Sequence, residues 1–319
     1  MTNRLPRIAL ILVLITVPVS AQRNAPIKEQ NIRAELGFLA SDAMQGRGSG
    51  SGYERIAAEY IGSQFRQFGL EPGGDTDSAG NKDYLQQVPA TERSKATWNV
   101  IGVLKGSQPG EAIMLSAHLD HLGVNESLTG DKIFNGADDD ASGCVAVLEL
   151  ARVLAAGKRP RRTIYFVCFG SEERGGYGSR YFIAHSPVPL PEIIADLTFE
   201  MLGRPDEKVP AGKLWLTGFE RSTLGPELAR RGAALVADPH PEQNFFQRSD
   251  NYPLALRGVI AHTVSSFGLH TDYHRPSDDI SKIDFPFMTR SLNSLVEPVQ
   301  WLANSTFRPS WLPGQAPTR

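Results

Sequence analysis

The sequence predicts an α/β three-layer sandwich, with a mostly parallel central mixed sheet and helices on both faces. Three observations carry that reading. Apolar runs of strand length alternate with amphipathic stretches of helical length over most of the chain. The run at 163–169 is apolar almost throughout, the pattern of a strand covered on both faces. Residues able to hold a metal or move a proton recur just past the ends of such runs, where α/β sheets place their sites. The composition agrees: 41% hydrophobic and 21% charged residues with 30 Gly and 22 Pro in 319 describe a folded chain. With 33 Lys+Arg against 35 Asp+Glu, the formal charge of -2 gives no electrostatic footprint for nucleic acid.

Taken in order, the chain opens with Arg4 and Arg7, an apolar run over 8–17, and the small residues Ser20 and Ala21. A basic head, a short apolar core and a small-residue cleavage point describe a secretory signal peptide over 1–21. The run is shorter than the roughly 20 residues a membrane span needs. The expectation is a secreted or periplasmic protein with one domain over 22–319 and no stable membrane span after cleavage. Ile32, Leu36 and Leu39 recur at helical spacing, and 53–68 repeats the pattern. Between these helices, the four glycines of 46–52 fit neither phosphate-loop pattern and read as a flexible loop.

Residues 69–97 are turn-rich and polar. The runs 98–104 and 112–117 read as strands joined as a hairpin. A helix over 144–156 stops at Gly157, and the buried strand 163–169 follows. Next come a helix over 178–185, strands over 193–202 and 214–217, a helix over 226–236, a strand over 259–264 and a closing helix over 284–304. Cys144 and Cys168, each inside an apolar run, read as buried free thiols.

No G-x-S-x-G, C-x-x-C or His-Glu-x-x-His occurs, which weakens serine-hydrolase and short-helix zinc readings. At the end of one strand, His118 and Asp120 fall on the same side by the strand's period of two. That suits a metal-bound imidazole backed by a carboxylate, and equally an ordinary His/Asp pair. Asp138, Asp139 and Asp140 stand in a row before an apolar helix, whose N-terminus favours one anion but leaves three repelling each other unless a cation or solvent intervenes. Glu172 and Glu173 end the buried strand pointing differently, so one can hold a metal while the other takes a proton. Glu200 lies in apolar company and demands a counter-charge, from Arg204 or a metal. Past the last strand, His274 offers a ligand and Tyr273 a hydrogen-bond donor. His185 and His262, with no acid near in sequence, read as surface or core residues.

Together these pieces resemble the co-catalytic zinc aminopeptidases, family twenty-eight of the metallopeptidases, relatives of glutaminyl cyclase and glutamate carboxypeptidase. The resemblance runs in order through 39–50, Asn99-Val-Ile-Gly102, Ser116-Ala-His-Leu-Asp-His-Leu-Gly123, Gly136-Ala-Asp-Asp-Asp-Ala-Ser-Gly143, Ser171-Glu-Glu173, Glu200-Met-Leu-Gly-Arg204, Arg248-Ser-Asp250 and Asp272-Tyr-His-Arg-Pro276. It implies a zinc-exopeptidase fold and two Zn2+ ions bridged by Asp139. His118 and Glu200 would complete the first site, Glu173 and His274 the second. It further implies Glu172 as general acid/base, Asp120 as the partner behind His118, Tyr273 as oxyanion donor, and peptides with a free N-terminus as substrates. The family often has Asp where Glu200 stands, which bears on the first metal, and His where Asn251 stands, which bears on substrate contacts. The 69–97 segment is too short for the protease-associated domain that many relatives insert. A glutaminyl-peptide cyclotransferase and a catalytically silent metal-binding homologue are the alternatives the same resemblance allows.

Overall fold

Among the described residues, nine strands form one mixed sheet whose four central strands run parallel and end on the same edge. The computed structural model describes residues 26–92 and 94–318, and the expected signal peptide lies outside the described residues. The elements are α1 (Glu29–Leu39), α2 (Gly52–Gln67), β1 (Glu71–Pro72), β2 (Leu85–Val88), β3 (Thr97–Leu104), β4 (Ala112–His118), β5 (Gly123–Val124), β6 (Ile133–Phe134), α3 (Gly143–Ala155), β7 (Thr163–Phe169), α4 (Tyr177–Ala184), β8 (Ile193–Phe199), β9 (Leu214–Leu216), α5 (Leu224–Arg230), β10 (Leu235–Ala237), α6 (Asn251–Ala255), β11 (Ala261–Ser265) and α7 (Phe285–Asn304). The sheet order is β1-β3-β7-β4-β8-β11-β9-β10, with β2 also on β3. Strands β7, β4, β8 and β11 are parallel, while β3 and β9 flank them antiparallel. No helix among the described residues is long and apolar enough to cross a membrane.

The three layers follow from side-chain alternation. Ile113, Leu115 and Ala117 of β4, with Ile164, Phe166 and Cys168 of β7, join the core that holds Ile32 and Leu36 of α1 and much of α3 and α7. Met114, Val167 and Phe169 join a second core with Phe182 of α4 and Leu254 of α6. Both cysteines are buried and free, as expected. His262 is a core residue, its ring nitrogens 2.7 Å from the Ser222 hydroxyl and the Thr217 carbonyl, while His185 is exposed.

Several expectations are corrected. Strands β3 and β4 are not a hairpin, because β7 lies between them. The connection after β3 instead bonds to the chain entering β7: the Ser107 N–H donates to the Pro160 carbonyl at 2.9 Å and Gln108 to Arg161 at 3.0 Å. An apolar strand needs a partner on both sides, and β7 finds them there. Residues 69–97 carry two short strands on β3. Strand β8 stops at Phe199 because Met201, at φ 55, turns the chain. The helix expected over 226–236 ends at Arg230; Gly232, at φ 101, redirects the chain into edge strand β10.

The 46–52 stretch is no flexible loop. Arg47 is buried and donates to the carbonyls of Leu39, Leu119, Asn135 and Gly136 at 2.6–3.0 Å. Gly46 sits at φ 66, where an added Cβ would stand 2.4 Å from the Phe134 carbonyl oxygen. The glycines permit close backbone approach, and the arginine locks it.

Within the sheet, Asp196 accepts hydrogen bonds from Ser116 at 2.9 Å and Thr198 at 2.8 Å. Burial, only partly offset by those bonds, pushes its pKa up to about 7. The native state then holds this proton to a higher pH than the unfolded chain. The contribution to stability is therefore full below about pH 4 and lost as pH rises to 7, on the order of 4 kcal/mol. Asp196→Asn should abolish that part of the slope: in urea titrations at pH 5 and pH 8, the variant's midpoint should gain on wild type at the higher pH. A wild-type-minus-variant difference that does not change with pH would contradict it.

Candidate metal centre

Parallel register brings distant acids to one edge. His118 ends β4 opposite Phe169 of β7, so Glu172 and Glu173 follow just beyond. Thr198 of β8 pairs with Ser116 of β4, which brings Glu200 to the same edge. The loop after β11 returns with Tyr273 and His274, and the turn opening α3 supplies Asp139.

These groups converge. The Nε2 of His118 lies 3.2 Å from Asp139 Oδ1, and the Nε2 of His274 lies 3.2 Å from both Asp139 Oδ2 and Glu173 Oε2. Asp139 thus stands between two imidazoles. The Nδ1 of His118 faces the Asp120 carbonyl at 3.2 Å; donating there leaves Nε2 bare, pointing at a carboxylate. That pair needs a cation between them, a metal ion or a proton; despite burial, Asp140, Asp139 and Glu172 hold the His118 imidazole well above its usual range.

The Asp120 carboxylate does not back His118 directly, standing 3.8 Å from its Nδ1. Instead it accepts the Glu172 N–H at 2.9 Å and the Ser49 hydroxyl, so it anchors the Glu172 loop. The outer two acids of the aspartate row belong to the framework. Asp140 accepts backbone N–H groups of His118, Gly143 and Met201, and Asp138 accepts that of Gly203 and faces the His270 ring. Arg204 binds Asp272 at 2.7 Å and Asp278 at 3.1 Å, with Asp138 at 3.7 Å. It is therefore not the counter-charge for Glu200, whose Oε2 is buried without a polar partner among the described residues. Asn251 is also fully buried, bonded to Phe246 and Thr263, and is off the cavity wall.

The electrostatics separate the acids. Burial, with Asp250, Glu200 and Glu173 reinforcing it against His118, holds the Glu172 carboxyl well above the usual range. Burial likewise pushes Glu200 up to about 7. Asp139 goes the other way: despite burial, His118, His121 and His274 hold it well below. Burial and three nearby carboxylates raise the Tyr273 phenol, which keeps its proton. Ser171, Met201 and His274 all have φ of 53–55°, the left-handed region that disfavours side chains, each at a cost of about 1–2 kcal/mol.

A cavity opens beside this cluster. It is lined by the acids Glu172, Glu173 and Glu200 and by Arg248, together with an apolar wall of Met201, Trp215, Phe245 and Phe267 against which Tyr273 packs, 5.1 Å from Phe267. Trp215 stacks on Phe245 at 5.3 Å. The sequence reading missed this wall, since its members come from four separate segments. It also passed over His121, whose Nδ1 lies 2.8 Å from Glu173 Oε1 and which forms, with Asp139 and Glu173, a set of donor atoms within 4.8 Å of one another. Its position beside His118 and Asp120 was the available signal.

Imidazole and carboxylate donors around an unneutralised acid at the carboxyl edge of an α/β sheet describe a candidate metal centre. Residues 99–297 match the description Peptidase family M28, and the chain belongs to that family. It is 29% identical over 181 residues to leupeptin-inactivating enzyme 1 of Streptomyces exfoliatus, covering 55% of this chain and 36% of that one. The chain thus spans about a third of the length of the first curated relatives it matches. Among solved structures it is similar to BSAP, a zinc aminopeptidase from Bacillus subtilis, with TM-score 0.67 and 17% identity, over 90% of this chain and 98% of that one. It is also similar to Porphyromonas gingivalis glutaminyl cyclase, with TM-score 0.66 and 17% identity, over 87% of this chain and all of that one. At such identity the likeness is one of fold.

If Glu200 is a metal donor, its charge burdens the metal-free protein. Glu200→Gln should raise the thermal midpoint of chelator-treated protein and shrink the rise on adding zinc. For wild type, zinc at 100 times its Kd would add about 2.7 kcal/mol. Calorimetry with and without zinc measures both, and an undiminished zinc response would remove Glu200 from the donor set.

Proposed function

We propose that the chain is a secreted zinc-dependent aminopeptidase that holds two zinc ions and removes the first residue of peptides. The observation that carries this reading is the cluster itself: His118 and His274 converge on Asp139, with the partnerless Glu200 oxygen and the protonatable Glu172 beside the same cavity. His118, Asp139 and Glu200 would hold one ion, and Asp139, Glu173 and His274 the other. Zinc, when bound, polarises a scissile carbonyl and acidifies water.

The chain's residues do the rest. Glu172 accepts the proton of the attacking water and returns it to the departing amine nitrogen as the peptide bond breaks, a role worth about 10² to 10⁴ in rate. The Tyr273 hydroxyl donates to the oxyanion that forms at the carbonyl. The wall of Met201, Trp215, Phe245 and Phe267 gives the terminal side chain an apolar seat, while the surrounding carboxylates favour a free, positively charged amine. The 1–21 segment would direct export, leaving a mature chain that begins at Gln22.

Zinc-loaded protein should remove the first residue from free peptides and leave N-acetylated ones intact, with a chelator stopping the reaction, as read by product masses. Glu172→Gln should keep its zinc and lose 10² to 10⁴ in kcat, roughly the general-base contribution. Loss of ammonia from a peptide that begins with glutamine would instead mark a cyclotransferase, and internal cuts would overturn the aminopeptidase reading.

A further inference from the structure

We infer that His121 is a positioning residue for the second metal: it holds one oxygen of Glu173 so that the other faces the ion. The inference rests on the zinc reading above and concerns a residue to which neither the motif reading nor the ligand set gives a role.

The seat of the ring is built. His121 is fully buried, and its backbone N–H donates to the Arg47 carbonyl at 3.1 Å. Gly136, at φ 58, lies against the ring; a Cβ there would stand 2.6 Å from Cγ and Cδ2, so only glycine leaves the imidazole its place. From this seat Nδ1 reaches Glu173 Oε1 at 2.8 Å, while Glu173 Oε2 lies 3.2 Å from His274 Nε2. The carboxylate is divided, one oxygen for His121 and one for the His274 side.

Direct ligation by His121 is the competing arrangement, and the other ring nitrogen decides against it. Nε2 is buried and has no hydrogen-bond partner among the described residues. Were Nδ1 bound to a metal, the neutral ring's proton would sit on Nε2 as a buried donor with no acceptor, a rare and costly state. With the proton on Nδ1, donated to Glu173, only a bare acceptor is left. Asp139 Oδ2, at 3.8 Å from Nδ1, is beyond bonding distance. A ligand carboxylate held by one oxygen binds through the other alone and leaves a coordination position open.

Two replacements separate the arrangements in the full chain. The amide nitrogen of His121→Asn stands near the Nδ1 position and still donates; His121→Phe keeps the ring and loses the donor. Zinc titrated against a chromophoric chelator should show the second ion weakened about 10- to 100-fold in His121→Phe, with the first unchanged, and within about threefold of wild type in His121→Asn. Cobalt-substituted wild type and His121→Asn should share one visible spectrum. Should His121→Phe not fold, His121→Leu, which is also apolar and carries no donor, takes its place with the same expectation. Unchanged affinity in the donorless variant, or equal weakening in both variants with a cobalt spectrum that has lost a nitrogen donor, overturns the inference. A wild-type chain that binds no second ion overturns the two-zinc reading first, and this inference with it.

Discussion

Concentrated negative charge at one edge of the sheet is the constraint on which the rest of the structure depends. Asp120, Asp138, Asp139, Asp140, Asp250 and Asp278 are all buried, and Glu172, Glu173 and Glu200 are half-buried. Each such group must find N–H donors, a cation or a proton. The outer acids find donors: Asp140 takes three backbone N–H groups, and Asp278 takes the N–H groups of Asp138 and Asp139 along with Arg204. The inner ones are left facing imidazoles and each other. Ordinary protein groups exhaust themselves on the rim, and the centre is reserved for something that is not protein.

The same division explains what the sequence disclosed. Strand-length apolar runs and the row of acids could be read residue by residue, because burial on both faces and charge repulsion act locally. Strand order could not: β7 inserts between β3 and β4 through contacts with a connection some fifty residues away, which no local pattern encodes. The roles within the aspartate row were equally hidden. Asp138, Asp139 and Asp140 look alike in sequence, and only the backbone groups of Met201 and Gly203 separate framework from centre. Arg47 read as part of a glycine-rich loop because its four acceptors are carbonyls, which leave no compositional trace. Asn251, which read as a change in substrate contacts, is a buried brace between a loop and β11.

Rigidity and strain are placed side by side. Ser171, Met201 and His274 adopt left-handed backbone next to or within the cluster, and the first two are held by well-bonded surroundings. Glu54 accepts the Ser171 N–H at 3.1 Å together with Thr97 and the Gly50 N–H, and Asp140 accepts the Met201 N–H. Buried hydrogen bonds fix the unfavourable turns, and the turns aim Glu172, Glu200 and His274 where regular strands would not.

The spread of the donors along the chain has a consequence for assembly. His118 and Asp139 come early, Glu200 needs β8 in register, and His274 arrives only after β11 has joined the sheet. Non-local parallel pairing is slow to form, because loop closure precedes any reward from contact. On the proposed donor set, a metal ion would therefore meet no complete site on a nascent or half-folded chain. Loading would come at the end of folding, and the ion would act as a seal on a finished architecture and not as its template.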